Sequence, residues 1–168
     1  IKNVIQNPKA EIHFVSGGTQ ANLIVLASLM KPYESVIAAN TAHINIHEAG
    51  AIEETGHKIN VINSSDGKIT PEGIQQVIDS HTDEHMVKPK VVFISNTTEV
   101  GTIYKKKELE NIYETCKKND LYLYLDGARL GSALCSKESD LTLPDISKLV
   151  DVFYIGGTKN GALLGEAI

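Results

Sequence analysis

Short, nearly continuous apolar runs alternate with segments of helical periodicity along the whole chain, and that alternation leaves few folds open. The runs are Glu11–Val15, Ser35–Ala39, Lys58–Ile62, Lys90–Ser95, Tyr122–Asp126, Asp151–Ile155 and Leu163–Ile168. Most are dense in Val, Ile, Leu, Phe and Tyr, without the polar alternation of a strand that faces water, as expected for strands covered on both faces. Helix candidates lie between them at about Thr19–Met30, Ile44–Thr55, Pro71–Ser80, Lys106–Lys118 and Ala128–Leu134. Thr70 caps the third, Pro71 takes its first helical position, and Ile74, Val77 and Ile78 share one face. Leu109, Ile112, Tyr113 and Cys116 repeat that spacing in the fourth. The pattern predicts an α/β domain with a mainly parallel seven-stranded sheet and helices on both faces. Gly156–Ala162 is too short for a helical crossover, so Leu163–Ile168 is expected to return antiparallel.

A chain of 168 residues fits one domain, here residues 1–168, with a sizeable core. The formal net charge of -5 argues against a nucleic-acid or anionic-membrane surface, both of which need basic patches. Lysines do cluster between Lys88 and Lys118, but Glu108, Glu110 and Glu114 are interspersed, which describes a solvated helix face. The two cysteines, Cys116 and Cys135, have neither metal-ligand nor redox spacing and read as reduced residues of a cytoplasmic protein. No apolar run is long enough to span a bilayer. The chain opens at Ile1 and stops within a strand pattern, and so reads as a piece of a longer polypeptide.

Four constellations carry chemistry. Ser16-Gly17-Gly18-Thr19-Gln20-Ala21-Asn22 joins a strand to a long apolar helix. It is either an ordinary glycine turn or an anion site, where free backbone N–H groups and the Thr19 hydroxyl receive a phosphate. The spacing matches neither the dinucleotide fingerprint nor a Walker loop. Leu125-Asp126-Gly127-Ala128-Arg129 ends a buried run in a carboxylate that needs a partner to stay ionised. Arg129 is one candidate partner and a protonated pyridine nitrogen is another, which would leave Arg129 free to grip a carboxylate. His43 opens Thr41–Gly50 and could stack on an aromatic ring or move a proton near neutral pH. His43 and His47 are four apart, but no third ligand is evident and no metal is expected. Lys159, in Gly156–Ala162 after the apolar run, suits a surface turn or a desolvated amine that condenses with a carbonyl.

Together, Gly17–Asn22, Ala42-His43 with Glu48-Ala49-Gly50, Leu125–Arg129 and Thr158-Lys159 resemble the threonine aldolase family. Those enzymes are β-eliminating-lyase relatives within the aspartate-aminotransferase type of pyridoxal phosphate enzymes. The resemblance implies that this chain is the large domain of a fold-type-I enzyme, whose N-terminal segment and C-terminal small domain lie outside it. It also implies that Gly18 and Thr19 bind the cofactor phosphate and His43 stacks on its ring. Asp126 would pair with the ring nitrogen, and Arg129 would contact cofactor and substrate carboxylate. Thr158 would stand beside Lys159, which would carry the cofactor. The implied reaction is cleavage of a β-hydroxy-α-amino acid such as threonine to glycine and an aldehyde, in a homodimer or homotetramer. β-Elimination, another amino-acid reaction, or a catalytically silent truncated domain are the alternatives. Resembling aldolases place a second histidine where this chain reads Asn96–Gly101, which leaves Thr98 or Glu99 to substitute.

Overall fold

The computed structural model describes all 168 residues. Five parallel strands form the central sheet: β2 (Glu34–Ala39), β3 (Lys58–Ile62), β4 (Lys88–Ser95), β5 (Tyr122–Asp126) and β6 (Val152–Phe153). Their spatial order is β3-β2-β4-β5-β6. Three two-residue strands, β1 (Phe14–Val15), β7 (Ile155–Gly156) and β8 (Glu166–Ala167), make a separate antiparallel sheet in the order β1-β8-β7.

The helices are α1 (Gly18–Leu29), α2 (His43–Ile46), α3 (Ala51–Glu54), α4 (Pro71–Ser80), α5 (Lys106–Lys118), α6 (Leu130–Leu134) and α7 (Leu143–Leu149). Alternate residues of the strands point to opposite faces and build two cores. Val36, Ala38, Phe93 and Tyr124 pack with Ala21, Val25 and Leu26 of α1 and with Ile44 and Ile52 beyond it. Ile37, Val92, Ile94 and Leu123 pack with Ile74 of α4, Leu109 and Ile112 of α5 and Ile146 of α7. Both faces are therefore covered, as the continuous apolar runs required.

Three expectations need correction. The single seven-stranded sheet does not form, because the run Asp151–Ile155 breaks at Tyr154. Its first half pairs with β5, while Ile155–Gly156 turns away to pair with β8. The turn is tight because Gly127 lies against the Tyr154 carbonyl, where an added Cβ would come within 1.7 Å of the oxygen. The helix expected over Ile44–Thr55 is two short helices around a kinked turn, with Glu48 (φ 64), Ala49 (φ 52) and Gly50 (φ 77) all left-handed. Finally, α7 was not anticipated, although Thr142 and Asp145 form a reciprocal cap at its start. The α4 and α5 boundaries match the sequence reading.

Candidate active site

The carboxyl ends of β2, β4 and β5, the start of α1 and the turn after β7 converge on one cavity of about 220 Å³. Convergence at strand carboxyl ends is the usual position of a ligand site in such sheets. Gly18, Thr19, His43, Asp126, Arg129, Thr158 and Lys159 all line it. A larger cavity of about 720 Å³ lies between the N-terminal residues, α1 and β6, but its lining is mainly apolar and it includes none of these seven.

At one end of the polar cavity, α1 begins without a side-chain cap on Gly17 and without an acidic residue in its first turn. The first backbone bond of the helix runs from Ala21 N–H to Gly17 O, so the N–H groups of Gly18, Thr19 and Gln20 have no acceptor within the chain. Ser16 is held apart by the Gln20 side chain, which accepts from its N–H and its hydroxyl at 2.9 Å each. Unpaired N–H groups at the positive end of a 12-residue helix make an anion site. Gly18 has no room for a side chain, since a Cβ would lie 2.9 Å from the Tyr154 hydroxyl.

At the other end sits Asp126, buried at 4% exposure. Its Oδ1 accepts from the Tyr154 hydroxyl at 2.6 Å and from Ala128 N–H at 2.9 Å, and its Oδ2 accepts from Asn22 Nδ2 at 3.0 Å. Burial, reinforced by the Asp126 charge, pushes the Tyr154 hydroxyl far above the usual phenol range. Burial does the same to Tyr124, which donates to Asn22 Oδ1 at 2.8 Å. Both phenols are thus fixed as donors. The alternative pairing of Asp126 with Arg129 does not form; Arg129 is exposed and its guanidinium makes no ion pair within the chain.

His43 opens α2, and its Nδ1 lies 2.6 Å from Glu48 Oε1. Glu48 is brought inward by the left-handed turn, whose two non-glycine residues cost about 1 kcal/mol each. Asn22 Nδ2 also donates to Glu48 Oε1 at 2.7 Å, so one amide bridges two buried carboxylates. In the loop Asn96–Gly101, Thr98 and Glu99 have different surroundings. Thr98 is buried and bonds to Thr102, whereas Glu99 lines the cavity and accepts at Oε1 from Ser95 Oγ and His43 N–H.

Of the two readings open for Lys159, this chain by itself shows the surface turn. It lies in a single 3-10 turn, Thr158–Asn160, and is exposed rather than enclosed at the end of a buried strand. Thr158 is exposed too, its hydroxyl accepting from Gly165 N–H at 3.2 Å. Leu163 and Leu164, just beyond, are 95% and 63% exposed, so nothing in this chain covers the segment. Asn22, Glu48 and Tyr154 line the cavity without a role of their own in the sequence reading. Asn22 could have been found as a polar residue in the apolar stripe of Ala21, Val25 and Leu26. Glu48 belongs to the Glu48-Ala49-Gly50 motif but has no role of its own there, and Tyr154 gives no signal because its partner Asp126 is 28 residues away.

The beta-eliminating lyase family model matches residues 5–165. The chain belongs to that family. Among its relatives is a low-specificity L-threonine aldolase of Pseudomonas sp. (strain NCIMB 10558), 42% identical over 94% of this chain and 46% of the relative. A solved threonine aldolase of Leishmania major is 53% identical and superposes with a TM-score of 0.98, over 99% of this chain and 48% of that one. The family fold extends further: a pyridoxal phosphate-bound C-S lyase of Staphylococcus hominis, 12% identical, matches with a TM-score of 0.73 over 99% of this chain and 44% of its own. The chain spans about half the length of the relatives it matches. No helix is long and apolar enough to cross a membrane.

Proposed function

We propose that the protein carrying this chain is a pyridoxal phosphate-dependent carbon–carbon lyase. It would cleave a β-hydroxy-α-amino acid such as threonine to glycine and an aldehyde, with residues 1–168 as the cofactor-binding large domain. One observation carries the reading: a single polar cavity has unpaired helix N–H groups at one end and a buried, well-held carboxylate at the other. That pair of ends suits a phosphate and a protonated pyridine nitrogen, so the residues present fit pyridoxal 5'-phosphate. The relatives named as threonine aldolases favour aldol cleavage over β-elimination.

When bound, the cofactor supplies an electron sink for the charge left on the substrate α-carbon. Gly18 and Thr19 hold the phosphate through backbone N–H groups, with the Thr19 hydroxyl as a further donor. Asp126 keeps the ring nitrogen protonated, and its own donors, Tyr154, Asn22 and Ala128 N–H, keep the carboxylate aimed. His43 would lie along the ring face and take or return a proton there. Arg129, free of internal partners, binds the substrate carboxylate in a forked geometry. Lys159 would be the residue that holds the cofactor, with Thr158 beside it. The exposed Leu163 and Leu164 support assembly as a homodimer or homotetramer that covers this segment and desolvates the lysine. A cytoplasmic location fits the two free cysteines.

The test uses the full-length protein with pyridoxal phosphate. A visible absorbance band is expected, and Lys159→Ala abolishes it. Threonine is expected to yield glycine and acetaldehyde. Ammonia and a keto acid would replace aldol cleavage with elimination, and a protein that never takes up the cofactor would end both readings.

A further inference from the structure

Glu48 is a buried carboxylate without a role so far. Its side chain has no solvent exposure, its Oε1 meets His43 Nδ1 at 2.6 Å and Asn22 Nδ2 at 2.7 Å, and its Oε2 is buried with no hydrogen-bond partner. A buried carboxylate with one bare oxygen needs compensation at the other. The neighbouring groups do not provide it. Asp126, across the Asn22 amide, is a like charge, and Glu99 Oε1 sits on the His43 backbone N–H. The Tyr124 hydroxyl is committed to Asn22 Oδ1, while Arg129 and Lys159 line the cavity but make no ion pair with Glu48. Beyond the Asn22 amide, only the His43 ring reaches Oε1.

We infer that Glu48 is a positioning residue that holds the His43 ring through Nδ1–H and leaves Nε2 to handle protons in the cavity. This inference rests on the lyase reading of the site. Oε1 already acts as an acceptor toward Asn22, so it accepts from the ring as well. When one nitrogen of a neutral imidazole is the donor, the other is the acceptor. The broken helix gives independent geometric support. On a continuous helix, residues five apart point about 140° away from each other, and His43 and Glu48 could not meet. The three left-handed residues Glu48, Ala49 and Gly50 end that helix and return the carboxylate beneath the ring.

The test begins with the cofactor-free, full-length protein, its histidines labelled with ¹⁵N and observed by long-range proton–nitrogen correlation at about pH 8.5, above the ordinary histidine range. His43 Nδ1 is expected to carry a proton in the native protein and to lose it to Nε2 in Glu48→Leu. A bare Nδ1 in the native protein overturns the inference, as does an unmoved proton in a folded Glu48→Leu. If that variant does not fold, the native spectrum alone decides. With cofactor and threonine, Glu48→Leu is expected to lower kcat at least ~10-fold while KM changes less than about threefold. A matching rise in KM would mark Glu48 as mere packing and overturn the inference. Since the nitrogen spectra need no cofactor, failure to take up pyridoxal phosphate would remove the lyase reading without touching the Glu48–His43 relation.

Discussion

The Tyr154 hydroxyl donates to Asp126 Oδ1 at 2.6 Å from the strand break that joins the two sheets. The same hydroxyl would stand 2.9 Å from a Cβ at Gly18. One phenol thus touches both ends of the proposed cofactor site, and it does so as a donor, because burial keeps it protonated.

Tyr154→Phe removes that donor and leaves a buried carboxylate oxygen with only Ala128 N–H. Loss of a buried bond to a charged group is expected to lower stability by about 2 kcal/mol, read from denaturant midpoints at constant slope. Pyridoxal phosphate affinity should fall in the same variant, measured by equilibrium titration of the full-length protein. Unchanged values in both measurements would show that Asn22 and Ala128 suffice to hold Asp126.

Gly18→Ala should weaken cofactor binding by forcing the Tyr154 hydroxyl aside. The double variant Gly18→Ala with Tyr154→Phe tests the cause. Removing the clashing oxygen should make the second change cost less than it does alone, a non-additivity that contacting residues show. Additive losses would mean that the clash is relieved elsewhere.

Acid stability should depend on Asp145. A hydrogen bond from Lys106, at 2.7 Å, and then one from Thr142 lower its carboxyl to about 2. A carboxyl lowered in the fold contributes fully above its unfolded value of about 3.9, and the contribution disappears as pH falls toward the folded value. Asp145→Asn should therefore lower the melting temperature near neutral pH and flatten the acid limb between about pH 4 and about pH 2. A limb of unchanged steepness would assign acid unfolding to other carboxylates.

The two thiols should separate by reactivity. Burial pushes the Cys116 thiol up to about 12, whereas Cys135 is exposed. Since the thiolate is the reactive form, an aromatic disulfide reagent should titrate Cys135 in the native chain and reach Cys116 only on unfolding. Rapid native reaction of Cys116 would indicate opening of the core around α5.

Much of this was legible because it is written locally. Thr70, Pro71 and the Ile74, Val77, Ile78 face define α4 within one short segment, and its boundaries matched. The candidate site residues were chosen by type and chain order, and Gly18, Thr19, His43, Asp126, Arg129, Thr158 and Lys159 line one cavity. What escaped depends on contacts that the periodicity of the chain does not record. The α2–α3 break serves a contact between His43 and Glu48, and the break at Tyr154 answers to Gly127, 27 residues earlier. The cap at Thr142 and Asp145 is local and legible in the sequence. The choice between the two readings of Lys159 was not written locally, because an apolar strand before a lysine does not enclose it when the strand itself turns away.

The crossing at Gly127 has a consequence for how such a cavity can change. Gly156 N–H bonds to Gly127 O at 2.9 Å just where the Tyr154 carbonyl leaves no space for a side chain. Asp126 and the segment leading to Lys159 are therefore pinned together within a few residues of each. Variation that widens or reshapes the chamber is therefore expected at the wall formed by the start of α2 at His43 and the loop that carries Glu99.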